Sequence, residues 1–426
     1  MAEFRAEVFQ NEYLSDGATD VHGVVSVSVS GAGVAGQSPG TEAAEIIIVD
    51  TSGSMDMPPA KIAAARRAAK VAIGEIVDGT WFAVLSGHTV AQMVFPTHPG
   101  LAKMTDVTRR DASEAIGRLR SGGATAIGAW IAAATELFEQ APAGQRHSIL
   151  LTDGKIEGEP AGALEAALAN ARGKFQCDCR GIGSDWVVEE LRTIATELLG
   201  TVDIVAEPAD LEADFEAMMR NAMSRGVADV RLRLWAPQGS EVMFVRQVAP
   251  QVDDLTSRAV RISPLVVEYP TGAWSDESRD YHVAVRVPTA PVGNERLAAR
   301  VEVVVDDQVV AKGLVKAIWS GDTNLTTRID PAVAHYTGQA QLADVIQRGL
   351  AAKASGDERT ATVLLGEAAK LAHDTGNEDT TRLLNKVVDV VDVEAGTVRL
   401  KQQVAKSDEM ALDTRSTKTT RIRREP

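Results

Sequence analysis

The stretch EIIIVDTSGSMDMPPAK places Asp50, Ser52 and Ser54 at alternate positions, one carboxylate followed by two hydroxyls. A third hydroxyl, Thr125, stands in SGGATAIGAW, and a second carboxylate, Asp153, follows the apolar run of HSILLTDGK. Together they form a hard-oxygen set, which suits magnesium, calcium or manganese rather than zinc or copper. Magnesium demands near-octahedral geometry and usually keeps waters, so coordination by the protein alone is expected to be incomplete. Few anionic ligands leave residual positive charge at an open position, where a carboxylate from another molecule fits. Asp-x-Ser-x-Ser alone is a weak signal that an ordinary loop with helix-capping serines also produces. It gains specificity here because a four-residue apolar run precedes it and Thr-Asp-Gly follows a second such run.

The elements that must position these residues are readable over residues 44–225. Short apolar runs occur in EIIIVD, WFAVLS, VAQMVF, HSILLT, FQCDCRGIG and VDIVA. Amphipathic stretches separate most of them; in AKIAAARRAAKVAIGEI, residues Ile62, Ala65, Ala69, Ile73 and Ile76 share one helical face. Asp56 and Pro58 are a plausible start for that helix. Continuous Ile/Val runs separated by helices predict an α/β fold, a doubly wound, mostly parallel sheet buried on both faces. The Gly-His turn in WFAVLSGHTVAQMVF predicts an antiparallel hairpin at its edge. Asp50 and Asp153 both end strands, and ligands of open α/β sheets bind beyond the carboxyl ends of strands.

Asp-Thr-Ser-Gly-Ser with a downstream Thr and Thr-Asp-Gly resembles the metal-ion-dependent adhesion site of von Willebrand factor A domains, whose sheet is Rossmann-like. The resemblance implies Asp50, Ser52 and Ser54 as the first metal loop, Thr125 as the second-loop ligand and Asp153 as the third, often acting through water. It implies a magnesium ion that grips a partner's Asp or Glu carboxylate, with manganese or calcium left open. The second loop reads Gly-Gly-Ala-Thr where many members read Gly-Gly-Thr. The flanking regions look like bacterial, especially actinobacterial, multidomain members. Some of these resemble accessory subunits of MoxR-type AAA ATPases, an alternative with a motor as partner.

An enzyme is the opposing class. Haloacid dehalogenase-type phosphatases also begin their site with an Asp at a strand end, but they want a second Asp two residues on as general acid. Ser52 stands there. With no Gly-x-Ser-x-Gly elbow, Walker loop or dinucleotide fingerprint, the expectation is no catalytic residue and no enzymatic activity. Gly-Ile-Gly-Ser-Asp (181–185) reads as a strand-to-helix turn capped by Ser184 or Asp185.

The remaining chain divides by pattern. Residues 1–43 carry an alternating strand, VHGVVSVSVS, that must pair elsewhere, and 226–330 hold short turn-bounded strands of a β-sandwich. The α/β domain is then inserted between the sandwich's pieces. Residues 331–406 predict three helices with Gly- or Asp-marked turns, the third running through NEDTTRLLNKVVDVVD. Residues 407–426 read as a disordered tail, Thr-rich and basic. Thr414, Ser416, Thr417, Thr419 and Thr420 lie among Arg415, Lys418, Arg421, Arg423 and Arg424. A sharper reading makes Thr417, Thr419 and Thr420 kinase substrates, and a phosphothreonine there a ligand for a forkhead-associated domain.

The net charge of −15 and pI near 5.0 argue against nucleic acid as a partner of the body. No run of about eighteen apolar residues predicts a membrane span, and the acidic N-terminus does not read as a secretory signal. These features give a cytoplasmic expectation. Cys177 and Cys179 share a strand face, a spacing that strains a disulfide and lacks a second pair for zinc.

Overall fold

The computed structural model describes residues 2–36 and 42–422. The chain forms two compact units. The first comprises residues 32–228 with 272–275; the second comprises residues 1–31, 229–271 and 276–426.

The strand Ala43–Asp50 is the centre of the first unit, and every residue in it is buried. It pairs in parallel with Trp81–Gly87 on one side and Gln145–Thr152 on the other. Gln176–Ile182 and Val202–Val205 extend the sheet in parallel, and Ala91–Phe95 closes the opposite edge as the antiparallel arm of a hairpin. A strand flanked on both edges and covered on both faces can only be apolar, which is why Ile46–Val49 reads as a continuous run. On one face Ile47, Val49, Phe82, Val84, Ile149 and Leu151 pack with Ile62, Ala65 and Ala69 of the helix Ala60–Glu75 and with Phe215 and Met219 of Leu211–Met223. Burying each large aliphatic or aromatic side chain contributes about 1.5–3 kcal/mol. Asp56 does not cap the helix: it closes a 3-10 turn, Gly53–Asp56, and the helix begins after Pro59.

The amino-proximal half of this sheet holds a charge cluster that no motif signals. His147 Nδ1 lies 2.9 Å from Glu45, and its Nε2 lies 2.9 Å from Asp178, all three buried. Arg225 reaches Asp178 at 3.2 Å, and the Thr201 amide and hydroxyl donate to the other Asp178 oxygen. Burial works against a charged imidazole, but the Glu45 and Asp178 carboxylates outweigh it and push His147 up to about 9. Burial, with the Asp178 charge adding to it, raises the Glu45 carboxyl against the pull of His147. Cys177 and Cys179, 3.9 Å apart at sulfur, are buried free thiols in the same strand as Asp178.

The second unit is built on two sheets, antiparallel except where Tyr13–Leu14 joins Gln308–Trp319 in parallel. Asp20–Ser30 lies between Glu3–Gln10 and Ser278–Arg286 in a five-stranded sheet completed by Glu241–Ala249 and Asp253–Asp254. The six-stranded sheet runs Val260–Ser263, Val266–Pro270, Val230–Trp235, Glu295–Val305, Gln308–Trp319 and Tyr13–Leu14. The sheets meet face to face so closely that a Cβ on Gly313 would stand 2.5 Å from Val8. Three helices follow, Pro331–Ala354, Glu358–Asp374 and Glu378–Val387. Each start is capped by a side chain, Asp330, Asp357 or Asn377, and Gly356 and Gly376 take the left-handed turns just before the last two.

Two expectations for the C-terminal region are corrected. The third helix stops at Val387, and Val388–Asp392 pairs with Thr397–Leu400 as a hairpin. The β-branched run VVDVV favours a strand once a pairing partner is within reach. The described part of the segment read as a disordered tail, 407–422, is folded. Lys406–Arg415 is a helix burying Met410, Ala411 and Leu412, and 416–422 continues across the sandwich edge. There Val252 N–H donates to Thr417 O, Thr419 N–H to Pro250 O, and Arg421 pairs with the buried carboxylate of Asp280 at 2.9 Å. Tyr336 O–H and Arg421 both donate to Asp280, and Arg421 leads the causes that hold this carboxyl below its ordinary range against its burial. The tail's own sequence lacks apolar periodicity, so its order comes from surfaces made by residues far away in the chain. Thr419 Oγ1 donates to Val248 O and Thr420 Oγ1 accepts from Gln339, so these two hydroxyls are engaged rather than free in a mobile chain. Arg423 and Arg424 lie outside the described residues.

Two stability measurements follow. His147→Gln leaves buried Glu45 without its cation and Asp178 with Arg225 alone, and is expected to lower the urea-unfolding free energy by about 3–5 kcal/mol. Because the folded-state pKa of His147 lies above its unfolded value of about 6.5, its contribution is full below that pH. It is lost as pH rises through about 9; the variant should lack this part of the pH dependence. Arg421→Ala should cost about 1–3 kcal/mol by leaving Asp280 short of a donor, and an unchanged denaturation midpoint would show the tail contact to be idle.

Candidate metal centre

Asp50 ends the central strand at 0% exposure. The chain beyond it is stitched to two neighbouring loops by backbone bonds. Thr51 N–H donates to Gly87 O at 2.7 Å, Gly122 N–H to Thr51 O at 2.7 Å, and Gly53 N–H to Gly123 O at 3.0 Å. Gly87 is required because the Trp130 ring lies against it: a Cβ would fall 2.4 Å from the indole. Gly123 holds the Gly-Gly-Ala-Thr loop at φ +84° beside Thr89.

Within this frame the predicted oxygens converge. Ser52 N–H donates to Asp50 Oδ1 at 2.7 Å, and Ser52 Oγ lies 2.9 Å from Ser54 Oγ. Ser54 donates to Asp153 Oδ1 at 2.6 Å. Thr125, buried, is fixed by paired backbone bonds with Glu157. A Cβ on Gly154 would stand 3.0 Å from Thr125 Oγ1 and 3.4 Å from Ser54 Oγ, so both hydroxyls border the space that the missing side chain leaves. All five residues singled out in the sequence are therefore brought to one place.

Two further partners, the Thr of Thr-Asp-Gly and a helical lysine, were not singled out in the sequence. Thr152 donates its hydroxyl to Asp50 Oδ2 at 2.5 Å. Lys61 Nζ lies 2.7 Å from Asp153 Oδ2 and 3.3 Å from Asp185 Oδ2. Its side chain is 8% exposed, which the helical pattern alone does not reveal, since a Lys in a first turn reads as solvated. Asp185, read as a possible helix cap, instead faces this ammonium.

Burial pushes the Asp50 carboxyl up to about 6, against the hydrogen bonds from Ser52 and Thr152 and with the Asp153 charge adding to the rise. A buried carboxylate so disfavoured, bordered by three hydroxyls, is a donor set that a hard divalent cation would stabilise. Among the described residues no group of three or more His, Cys, Asp or Glu side chains is placed to hold a metal ion. Beside this site lies a cleft of about 640 Å³ lined by Thr51, Ser86, His88, Thr89, Arg120 and Gly123 among others.

The comparisons with known proteins decide the family. Residues 44–204 match the family model of the von Willebrand factor type A domain, and 370–416 match that of the von Willebrand factor type A C-terminal domain. The structure of a von Willebrand factor type A protein from Catenulispora acidiphila is 46% identical, with a TM-score of 0.94 over 99% of this chain and 97% of that one. This chain belongs to the von Willebrand factor type A family. The ArnB paralog VWA2 from Sulfolobus acidocaldarius shares the fold over 98% of both chains, with a TM-score of 0.61 at 14% identity. No curated protein matches the sequence. The second match ends at Ser416, within the segment first read as tail, in keeping with the helix found there. Among the described residues no helix is long and apolar enough to cross a membrane.

The Thr152 bond gives a test of the site's internal wiring. Thr152→Val removes the donor from a buried Asp50 oxygen and is expected to destabilise the protein by about 1–3 kcal/mol in chemical denaturation.

Proposed function

We propose that this chain is a metal-dependent protein-interaction scaffold. Asp50, Ser52, Ser54 and Thr125 would hold a magnesium ion, with Asp153 acting through water, and manganese or calcium as substitutes. When bound, the ion supplies a Lewis-acidic position for an Asp or Glu carboxylate of a protein partner. The protein's own residues do the rest: the strand end fixes Asp50, the Gly-Gly-Ala-Thr loop fixes Thr125, and backbone bonds between loops hold the hydroxyls at fixed separation. The observation that carries this reading is the convergence of two carboxylates and three hydroxyls from three separate loops around Gly154. Family membership supports it.

The rim also suits a protein partner. Met57, three residues beyond Ser54, is 76% exposed, and exposed Pro58 and Pro59 follow it. An apolar group so close to a polar centre offers a partner contact area around the carboxylate. We read the chain as non-enzymatic, because Ser52 occupies the place where a phosphoryl-transfer site of this layout needs an acid.

The test is manganese binding followed by electron paramagnetic resonance, paired with pull-downs in magnesium and in EDTA. Asp50→Ala is expected to weaken manganese binding by more than roughly 100-fold while leaving the circular dichroism spectrum unchanged. A partner should be retained by wild type only with magnesium. Equal retention by wild type and variant in magnesium and in EDTA would sink the metal bridge.

A further inference from the structure

Lys61 stands where a lysine has poor reason to be. It is the second residue of the helix Ala60–Glu75, close to the positive end of the helix dipole, and only 6% of the residue is exposed. A buried ammonium in that place persists only if paired, and its partner is Asp153 at 2.7 Å, itself 0% exposed. The second contact, Asp185 at 3.3 Å, is 68% exposed and therefore largely screened by water. Both oxygens of Asp153 are thus committed, Oδ1 to the Ser54 hydroxyl and Oδ2 to Lys61. Of the two carboxylates in the donor set, only Asp50 is without a cation of the protein's own. Its neighbours are the Ser52 amide and the Thr152 hydroxyl.

We propose that Lys61 is a resident counter-charge that keeps the metal affinity of this centre low and makes tight metal binding depend on an incoming carboxylate. This rests on the metal-dependent reading above. The ammonium offsets one of the two negative charges that would attract a divalent ion, and it repels that ion across a poorly solvated gap. A partner carboxylate restores the missing negative charge, so ion and partner strengthen each other's binding by the same factor. Lys61 is a positioning residue in this scheme: it touches Asp153 and needs no contact with the ion.

The experiment measures manganese binding by electron paramagnetic resonance and equilibrium dialysis on the full chain, with and without acetate as the carboxylate probe. The variants are K61M, K61Q and K61R, each checked for its thermal unfolding midpoint. Wild type should bind manganese weakly and more tightly with acetate. K61M and K61Q should bind manganese roughly tenfold or more tightly without acetate, because a neighbouring unit charge at this range is worth one or more decades. Their gain from acetate should shrink, and K61R, which keeps the charge, should behave as wild type. If wild type binds manganese and the uncharged variants bind it no more tightly, the role given to Lys61 is overturned while the metal centre stands. If neither wild type nor the uncharged variants bind manganese under either condition, the metal-dependent reading itself falls. Loss of folding in both uncharged variants, with K61R folded, would make the pair a purely structural one and overturn the proposal.

Discussion

A carboxylate shut away from water at the end of the central strand is the constraint around which the first unit is arranged. Asp50 is fully buried, and a buried carboxylate without donors costs several kcal/mol. The Ser52 amide and the Thr152 hydroxyl answer that cost directly. The amide can do so only because the chain turns sharply after Thr51, and that turn is held by bonds to Gly87, Gly122 and Gly123. Gly87 is in turn demanded by the Trp130 ring, and Gly123 by its positive φ. The loops are therefore consequences of one buried charge.

The same strand carries a second charge problem near its other end. Glu45 and Asp50 lie on either side of the apolar Ile46–Val49, and each is matched to a residue on a neighbouring element. Glu45 meets His147 from the adjacent parallel strand; Asp50 meets Thr152 from the far end of that strand. A one-residue slip in the register of Ala43–Asp50 against Gln145–Thr152 would break both matches and turn the apolar side chains over. Polar pairs at two points on two strands thus pin a register that uniform Ile/Val packing would specify only loosely.

The second unit solves a different problem, that of a C-terminal segment with too little apolar content to fold on its own. Its helix Lys406–Arg415 packs Leu412 with Leu342, Leu365 and Leu384 of the preceding helices, and Arg421 finds the buried Asp280. Burial and charge-assisted contacts, among them Lys353–Glu409 and Lys386–Asp408, substitute for local propensity, which in this stretch is weak. The close approach of Gly396 to Gly366, where a Cβ on Gly366 would fall 2.0 Å from the Gly396 carbonyl, sets the hairpin 388–400 onto the helix Glu358–Asp374.

The sequence by itself determined the α/β order, the edge hairpin, the presence of an all-β region and a helical end, and the five oxygen-bearing side chains that meet at the candidate centre. These are legible because they rest on short-range regularities: continuous apolar runs, alternation, turn residues, and donors placed directly after strand ends. Tertiary structure alone decided which distant residues complete them. Lys61 looks like a solvated helical lysine until the fold lays Asp153 against it, and His147 looks like one scattered histidine until two strands align Glu45 and Asp178 on either side. The end of the third helix at Val387 and the docking of 406–422 were likewise hidden. Except for the hairpin after Val387, whose two strands are close in sequence, the deciding term is a contact between residues far apart in the chain, and neither local propensity nor periodicity carries information about partners at that distance.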